Sequence, residues 1–372
     1  MAKLQSAILT VATLLVALAL STLGHDESAT FTNYIAYHSG ETYVDTGGGQ
    51  YVAVNLTTKA IAWVFKEPSI QSFVAPAFSD DFIFLLGSKK DSSEILALDR
   101  ATGRVRWKRP FLEIAHNPSP IVCGNKLLVN DAFRHIEFFL GTGDGQEQWN
   151  TESLPFELYH PPAVSDSQAW FVSKKRGADK IYGIVSIDCV KRTIQKTLEV
   201  PEQDISRLPV LLYGDKAILA ADHVERSATS IAMVDLATGR KVWDAHPDYD
   251  IGRLAVVDDK LLFGGAGGVW GLYLDSGKVF FQHGPRHGEA STFCVFGNAI
   301  IYQDGPNTLR AIDKKTDKVL WTSSMPSSIR SNLISCGDYV CAKLGSNTLA
   351  VLEPKSGKAI DVIPLKGAEV SH

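Results

Sequence analysis

The chain has no surplus of positive charge: 37 Lys and Arg stand against 41 Asp and Glu, a net charge of −4 with a pI near 6.2. Without a basic surplus or a Lys/Arg cluster to neutralise phosphates, nucleic acid is not an expected partner. Beyond the first two dozen residues there is no apolar run long enough to cross a bilayer. Cysteine is scarce, five in all, and no two are adjacent. Gly264-Gly265-Ala266-Gly267-Gly268 lacks the Lys-Ser/Thr of a phosphate-binding loop and the spacing of a dinucleotide loop. No nucleophile elbow or paired-carboxylate motif is present.

What the chain does have is a repeated turn. In Glu94 to Pro110, EILALDRATGRVRWKRP, an apolar run enters Asp99, Thr102-Gly103 turn the chain, and Val105 and Trp107 alternate with basic residues on the way out. Asp suits such a turn because its carboxylate accepts local backbone amides, and Gly because it tolerates positive φ. Aligned on Asp99, copies begin at Asn55, Asp99, Gly141, Asp188, Asp235, Tyr273, Asp313 and Glu353. Eight residues downstream of each stand Trp63, Trp107, Trp149, Lys196, Trp243, Phe281, Trp321 and Asp361, so five of the seven tryptophans share one repeat position.

A second turn keeps the same beat: Ser39-Gly40, Asp80-Asp81, Gly124-Asn125, Asp166-Ser167, Gly214-Asp215, Asp258-Asp259, Gly297-Asn298 and Gly337-Asp338. Two hairpin turns per period require four strands per period. Steps of 38 to 47 residues with four strands each predict an all-β protein, an eight-bladed β-propeller of four-stranded antiparallel blades. The indole positions Trp63, Trp107, Trp149, Trp243 and Trp321 are expected to dock blade on blade. Blade four, with Lys196 at that position, is the most eroded. Four strands at each end predict that blade eight meets blade one without sharing a strand, although Ser28 to Asn33 are available to extend the last blade.

Residues 1–24, with Lys3 the only charge and Ala7 to Leu23 nearly all apolar, are expected to be a secretory signal peptide. Residues 25–372 are then a single exported propeller domain, periplasmic or secreted. No Cys follows the apolar run, so a lipoprotein anchor is not expected; an uncleaved N-terminal anchor is the other reading of that run. An odd cysteine count leaves at least one of Cys123, Cys189, Cys294, Cys336 and Cys341 free or intermolecular. Across the Gly337-Asp338 turn Cys336 faces Tyr339 and lies only diagonally from Cys341, near the upper limit of disulfide geometry, and Cys294 is a rival partner. The expectation is buried small apolar residues with no disulfide framework.

The repeat Ala97-x-Asp99-x-x-Thr102-Gly103-x-x-x-Trp107 resembles the tryptophan-docking repeat of the PQQ-type (quinoprotein-like) β-propeller superfamily. It is matched at Ala53, Asn55, Thr58 and Trp63, at Asp235, Thr238, Gly239 and Trp243, and at Ala311, Asp313, Thr316 and Trp321. Two branches are implied. Quinoprotein dehydrogenases are longer, and usually carry two adjacent cysteines, an Asp base and Glu/Asn calcium ligands, which this sequence does not supply by motif. The compact, BamB-like branch is one ring with a signal and acts by scaffolding and protein binding. The resemblance to that branch implies a non-enzymatic scaffold, monomeric and without cofactor, that binds a protein partner of the cell envelope or outer-membrane assembly, or an anionic ligand. The alternative is a PQQ- and calcium-dependent oxidoreductase.

A candidate site lies in the loops that lead into first strands. His116, His160, Arg207, Arg253, His287 and Arg330 fall about 5 to 10 residues before the first turn of their blades. First strands line a propeller's channel, so these groups are expected to gather at one mouth and suit a carboxylate or acidic loop. Asp244, His246, Asp248 and Asp250 invite a hard cation, and His283, His287 and Glu289 invite zinc, but both sets read better as inter-blade loops. Asn55-Leu56-Thr57 fits a glycosylation acceptor and coincides with a repeat turn.

Overall fold

A computed structural model describes residues 34–365, apart from 91, 112–118, 132, 178–181, 201–209, 224–227, 248–250, 252, 266–267, 285–291 and 346. Among them there is no helix. Eight antiparallel sheets follow one another along the chain, each of four consecutive strands paired in order. Blade 1 is Ile35–His38, Glu41–Gly47, Gln50–Asn55 and Ala60–Lys66; blade 8 is Ile334–Cys336, Tyr339–Leu344, Thr348–Leu352 and Ala359–Pro364. In blade 2 the first strand is broken into Ser72–Phe73 and Ala77–Phe78, both paired with Phe82–Ser88. Pro76 lies in the break, where it has no N–H to give to a ladder.

First strands touch between blades 2 and 3, 3 and 4, 5 and 6, 7 and 8, and 8 and 1, which sets them around the axis and closes the ring, among the described residues, without a shared strand. Each apolar cluster is built from adjacent blades. One joins Val44, Val52 and Val54 of blade 1 to Leu349, Val351 and Ile363 of blade 8. Stacking buries both faces of every sheet, which a lone blade would leave wet.

The repeat turn works as its chemistry demands. Asp99 Oδ1 accepts the Thr102 amide at 3.0 Å and the Thr102 hydroxyl at 2.7 Å, and Asn55, Asp235 and Asp313 hold their turns in the same way. Asn55 of the glycosylation-like triplet is thus occupied in its own turn. Four residues after each start the backbone is left-handed in all eight copies: Lys59, Gly103, Gly145, Arg192, Gly239, Gly277, Asp317 and Gly357 all have positive φ.

The indoles dock forward, onto the next blade. Nε1 of Trp63, Trp107, Trp243 and Trp321 donates to the carbonyls of Arg100, Thr142, Leu274 and Pro354, at 2.7–3.0 Å. Each acceptor stands one residue after the start of the following repeat. Each ring lies on that repeat's glycine: a Cβ built on Gly103, Gly145, Gly277 or Gly357 would come within 2.4–2.6 Å of the indole. In every blade the ladder between third and fourth strands shifts register at the residue just before the indole position, a β-bulge in all eight copies. The bulge accommodates the residue that turns toward the neighbouring blade.

The expectation of no disulfide framework is wrong. Cys336 and Cys341 are bonded across the diagonal with Cα atoms 6.1 Å apart, within the range a disulfide spans. Cys123 and Cys189, on successive blades, are bonded at 6.0 Å. The inter-blade partner was invisible because nothing local relates residues 66 apart. Cys294 is free and buried, its thiol pushed up to about 12 by burial.

Candidate functional site

At the axis, one position recurs five residues before each blade's first turn. It is Tyr34, Ser119, Arg253, Thr292 and Asn332 in blades 1, 3, 6, 7 and 8. Because this residue enters the innermost strand, its side chain meets the neighbouring blade's backbone. Arg253 Nη1 donates to the carbonyls of Phe293, in blade 7, at 2.9 Å and Leu333, in blade 8, at 3.0 Å, while its guanidinium lies 5.6 Å from the centre of the Phe293 ring. Thr292 Oγ1 accepts the Leu333 amide at 2.8 Å. Asn332 clasps Ile35 of blade 1 at both ends, accepting its amide and donating to its carbonyl, each at 3.0 Å. Blades 6, 7, 8 and 1 are thus stitched in series by side chains at one repeat position.

A second closure contact lies beside the clasp. Lys343, 1% exposed on blade 8, donates Nζ to the carbonyl of Asp45 on blade 1 at 3.0 Å. Burial pushes the Lys343 ammonium down to about 8, against the nearby Asp45 charge. The same burial pushes the Asp45 carboxyl up to about 6, although the Gly47 amide bonds it and Lys343 opposes the shift. Lys343 is held in turn by Ser331, whose Oγ accepts its amide at 2.9 Å.

Of the six residues expected at the mouth, Arg253 and Arg330 are described in full. Arg253 is engaged in the clasp. Arg330 is exposed, two residues before Asn332, and its amide bonds the Lys343 carbonyl at 2.9 Å. Arg253 reaches the carbonyl of Leu333, three residues along the chain from Arg330. His116, Arg207 and His287 lie outside the described residues, as does the side chain of His160. Thr292, Asn332, Asp45 and Lys343 were missed. The first two had a signal, since they fall on Arg253's own repeat position; the other two sit inside second strands and had none.

Neither cation candidate assembles among the described residues, where no three His, Cys, Asp or Glu side chains gather as a metal cluster. Asp244 pairs with Lys241 at 2.9 Å and His246 at 3.2 Å, while Asp248 and Asp250 lie outside the described residues. His283 bonds Asp317 on blade 7, and His287 and Glu289 are likewise outside. The two disulfides join blade to blade and strand to strand, not neighbours in sequence, and Arg253 covers inner carbonyls at the mouth.

Matched against family models, residues 19–157 and 227–372 fit the one described as outer membrane protein assembly factor BamB. The chain belongs to this family. Among solved structures it is similar to BamB from Moraxella catarrhalis, with a TM-score of 0.63 at 16% identity over 85% of this chain and 95% of that one. It is also similar to the dihydro-heme d1 dehydrogenase NirN, with a TM-score of 0.66 at 12% identity over 91% and 74%. The quinohemoprotein alcohol dehydrogenase ADHIIG from Pseudomonas putida HK5 matches with 0.51 at 11% over 74% and 62%. At these identities the likenesses establish the propeller and not the chemistry. No curated protein matches the sequence.

Proposed function

We propose that this BamB-family chain is an exported, non-enzymatic scaffold that binds a protein partner, or an anionic ligand such as an acidic loop, at the channel mouth where Arg330 is exposed. The observation that carries this reading is what happens to Arg253. Its guanidinium is engaged by carbonyls of two further blades, so this group serves to hold blades together and leaves Arg330 as the exposed cation of the pair. Arg330 is exposed there and makes no ion pair among the described residues, which suits a carboxylate. In this reading the chain works as a monomer without PQQ or calcium, residues 1–24 are removed as a signal, and no nucleic acid is bound.

The test is capture from an envelope extract by the mature chain and by Arg330→Glu. Capture that is lost in the variant, with an unchanged melting curve, supports the reading. A stoichiometric chromophore on adding PQQ with Ca²⁺, with dye reduction by alcohols or sugars, overturns it in favour of an oxidoreductase.

A further inference from the structure

The eight outer strands are sheet edges, each with a row of unpaired backbone groups, and natural edges are usually blunted by charge or proline. Six of these follow the rule. Ala60–Lys66 carries Lys66, Val105–Phe111 carries Arg106, Lys108, Arg109 and Pro110, and Glu147–Asn150 carries Glu147. Thr193–Glu199 and Lys241–Ala245 hold charges of both signs, and Ala359–Pro364 holds Asp361 and Pro364. The outer strands of blades 6 and 7, Val279–His283 and Val319–Ser324, contain no Lys, Arg, Asp, Glu or Pro. Blade 6 is tied down by its last residue, His283, which bonds Asp317 of blade 7. Blade 7's outer strand is tied to blade 8 through the Trp321 indole on the Pro354 carbonyl, while Val319 and Leu320 are 52% and 50% exposed, and Thr322 and Ser324 are exposed beyond them.

The entrance to this edge is basic. Lys315 and Lys318 are exposed immediately before Val319, and Lys278 is exposed at the matching place on blade 6. None of the three makes an ion pair among the described residues, whereas neighbouring Lys314 pairs with Asp258 at 2.7 Å. The edge thus combines unpaired backbone, exposed aliphatic side chains and uncompensated positive charge at one end. A β-strand pairs through its backbone whatever its sequence, so the side chains and the charge set the choice of partner.

We propose that Val319–Ser324 takes a fifth, antiparallel strand from a partner protein, an extended aliphatic segment whose carboxylates, at its C-terminal end, meet Lys315 and Lys318. Antiparallel pairing continues the order of the blade and places the incoming C-terminus at Val319. The edge bulges at Leu320 and is regular from Trp321 to Ser324; with Val319 it spans about 20 Å, enough for a strand of ordinary length. This surface lies on the outer rim and uses none of the channel-mouth residues.

The probe is a fluorescein-labelled peptide, Ser-Val-Thr-Val-Thr-Val-Glu-Glu, titrated into the mature chain at low salt and followed by anisotropy and amide hydrogen exchange. Saturable binding is expected, with slowed exchange confined to Val319–Ser324. Affinity should fall at least tenfold in Leu320→Lys/Thr322→Lys and severalfold when the peptide's two Glu are replaced by Lys. Arg330→Glu should leave it unchanged, which separates this edge from the mouth. Thr322→Lys alone serves if the double variant melts early. Absence of saturable binding, protection elsewhere, or indifference to the edge variants overturns the proposal. So does a concentration-dependent dimer that protects Val319–Ser324 without peptide, which would assign the edge to a second copy of the chain.

Discussion

Lys59 of blade 1 stands where four other junctions hold a docking glycine, and its ammonium lies 3.1 Å from Asp361, which stands where the preceding blade would supply the tryptophan. At this junction the two departures from the repeat are therefore partners. At the seam of the ring an indole on a glycine is replaced by an ion pair, and Lys59 keeps the left-handed backbone of the glycine it replaces, with φ 56°. The pair is half exposed and contributes little by itself. Asp361→Trp with Lys59→Gly should rebuild an ordinary junction on the Leu56 carbonyl and raise the melting temperature. Asp361→Trp alone should not, because the Lys59 side chain fills the dock. A double-mutant cycle is expected to give a coupling of at least about 1 kcal/mol.

Gly103 and Gly214 share a left-handed backbone but not a neighbourhood. A Cβ on Gly103 would sit 2.5 Å from the Trp63 ring, whereas on Gly214 it would meet nothing within 4 Å. Gly103→Ala should cost about 2–4 kcal/mol, combining backbone strain with overpacking, and Gly214→Ala about 1–2 kcal/mol from strain alone. Urea unfolding of the two variants side by side checks the difference.

The junction of blades 3 and 4 has Trp149 but meets Arg192 where a glycine would be, and among the described residues no hydrogen bond leaves the Trp149 indole. The Cys123–Cys189 bond joins these two blades. Cys123→Ser/Cys189→Ser should lower stability by about 2–4 kcal/mol, because the bond closes a loop of 66 residues in the unfolded chain. Cys336→Ser/Cys341→Ser, which opens a bridge between residues only 5 apart, should cost less. Denaturant melts of both variants, alongside the parent with and without reductant, make the comparison.

The carboxyl of Asp45, raised to about 6 when folded, binds a proton more readily in the native chain than in the unfolded one. The native state therefore bears a cost that appears as pH rises from about 4 and is fully present above about 6. Asp45→Asn removes that cost and can still accept the Gly47 amide. Its stability relative to the parent should rise with pH across this window and level off above it. Lys343, lowered to about 8, acts at the other side: the parent should gain stability as pH rises from about 8 toward 10.5. Lys343→Met should lose that gain and move the Asp45 midpoint upward, readable by carboxyl NMR titration.

Arg253 serves two carbonyls with one nitrogen of a planar guanidinium that lies over a ring; a lysine ammonium has donors for both carbonyls but not the plane that stacks on the ring. Arg253→Lys should cost about 1–3 kcal/mol and speed amide exchange at the entrances to blades 7 and 8. Unchanged stability would show that the clasp is idle.

The chain's local chemistry determined the number of blades, the first and the last hairpin turn of each, and the position of the four indoles that dock on the next blade. Asp–Thr–Gly turns, alternating strands and a 38 to 47 residue beat are short-range features, decided by backbone sterics and hydrogen bonds between near neighbours. Part of the inner architecture follows from the same short-range rule: the residue five places before each first turn enters the innermost strand, and Arg253, Thr292 and Asn332 bridge blades there. What Arg253 does was decided only by the ring, because its partners lie 40 and 80 residues away. The forward docking of each indole, the Cys123–Cys189 bond and the Lys343–Asp45 seam share that origin, since they depend on how far each blade is rotated from the last. That angle emerges from packing whole sheets face to face, and no single period of the sequence contains it.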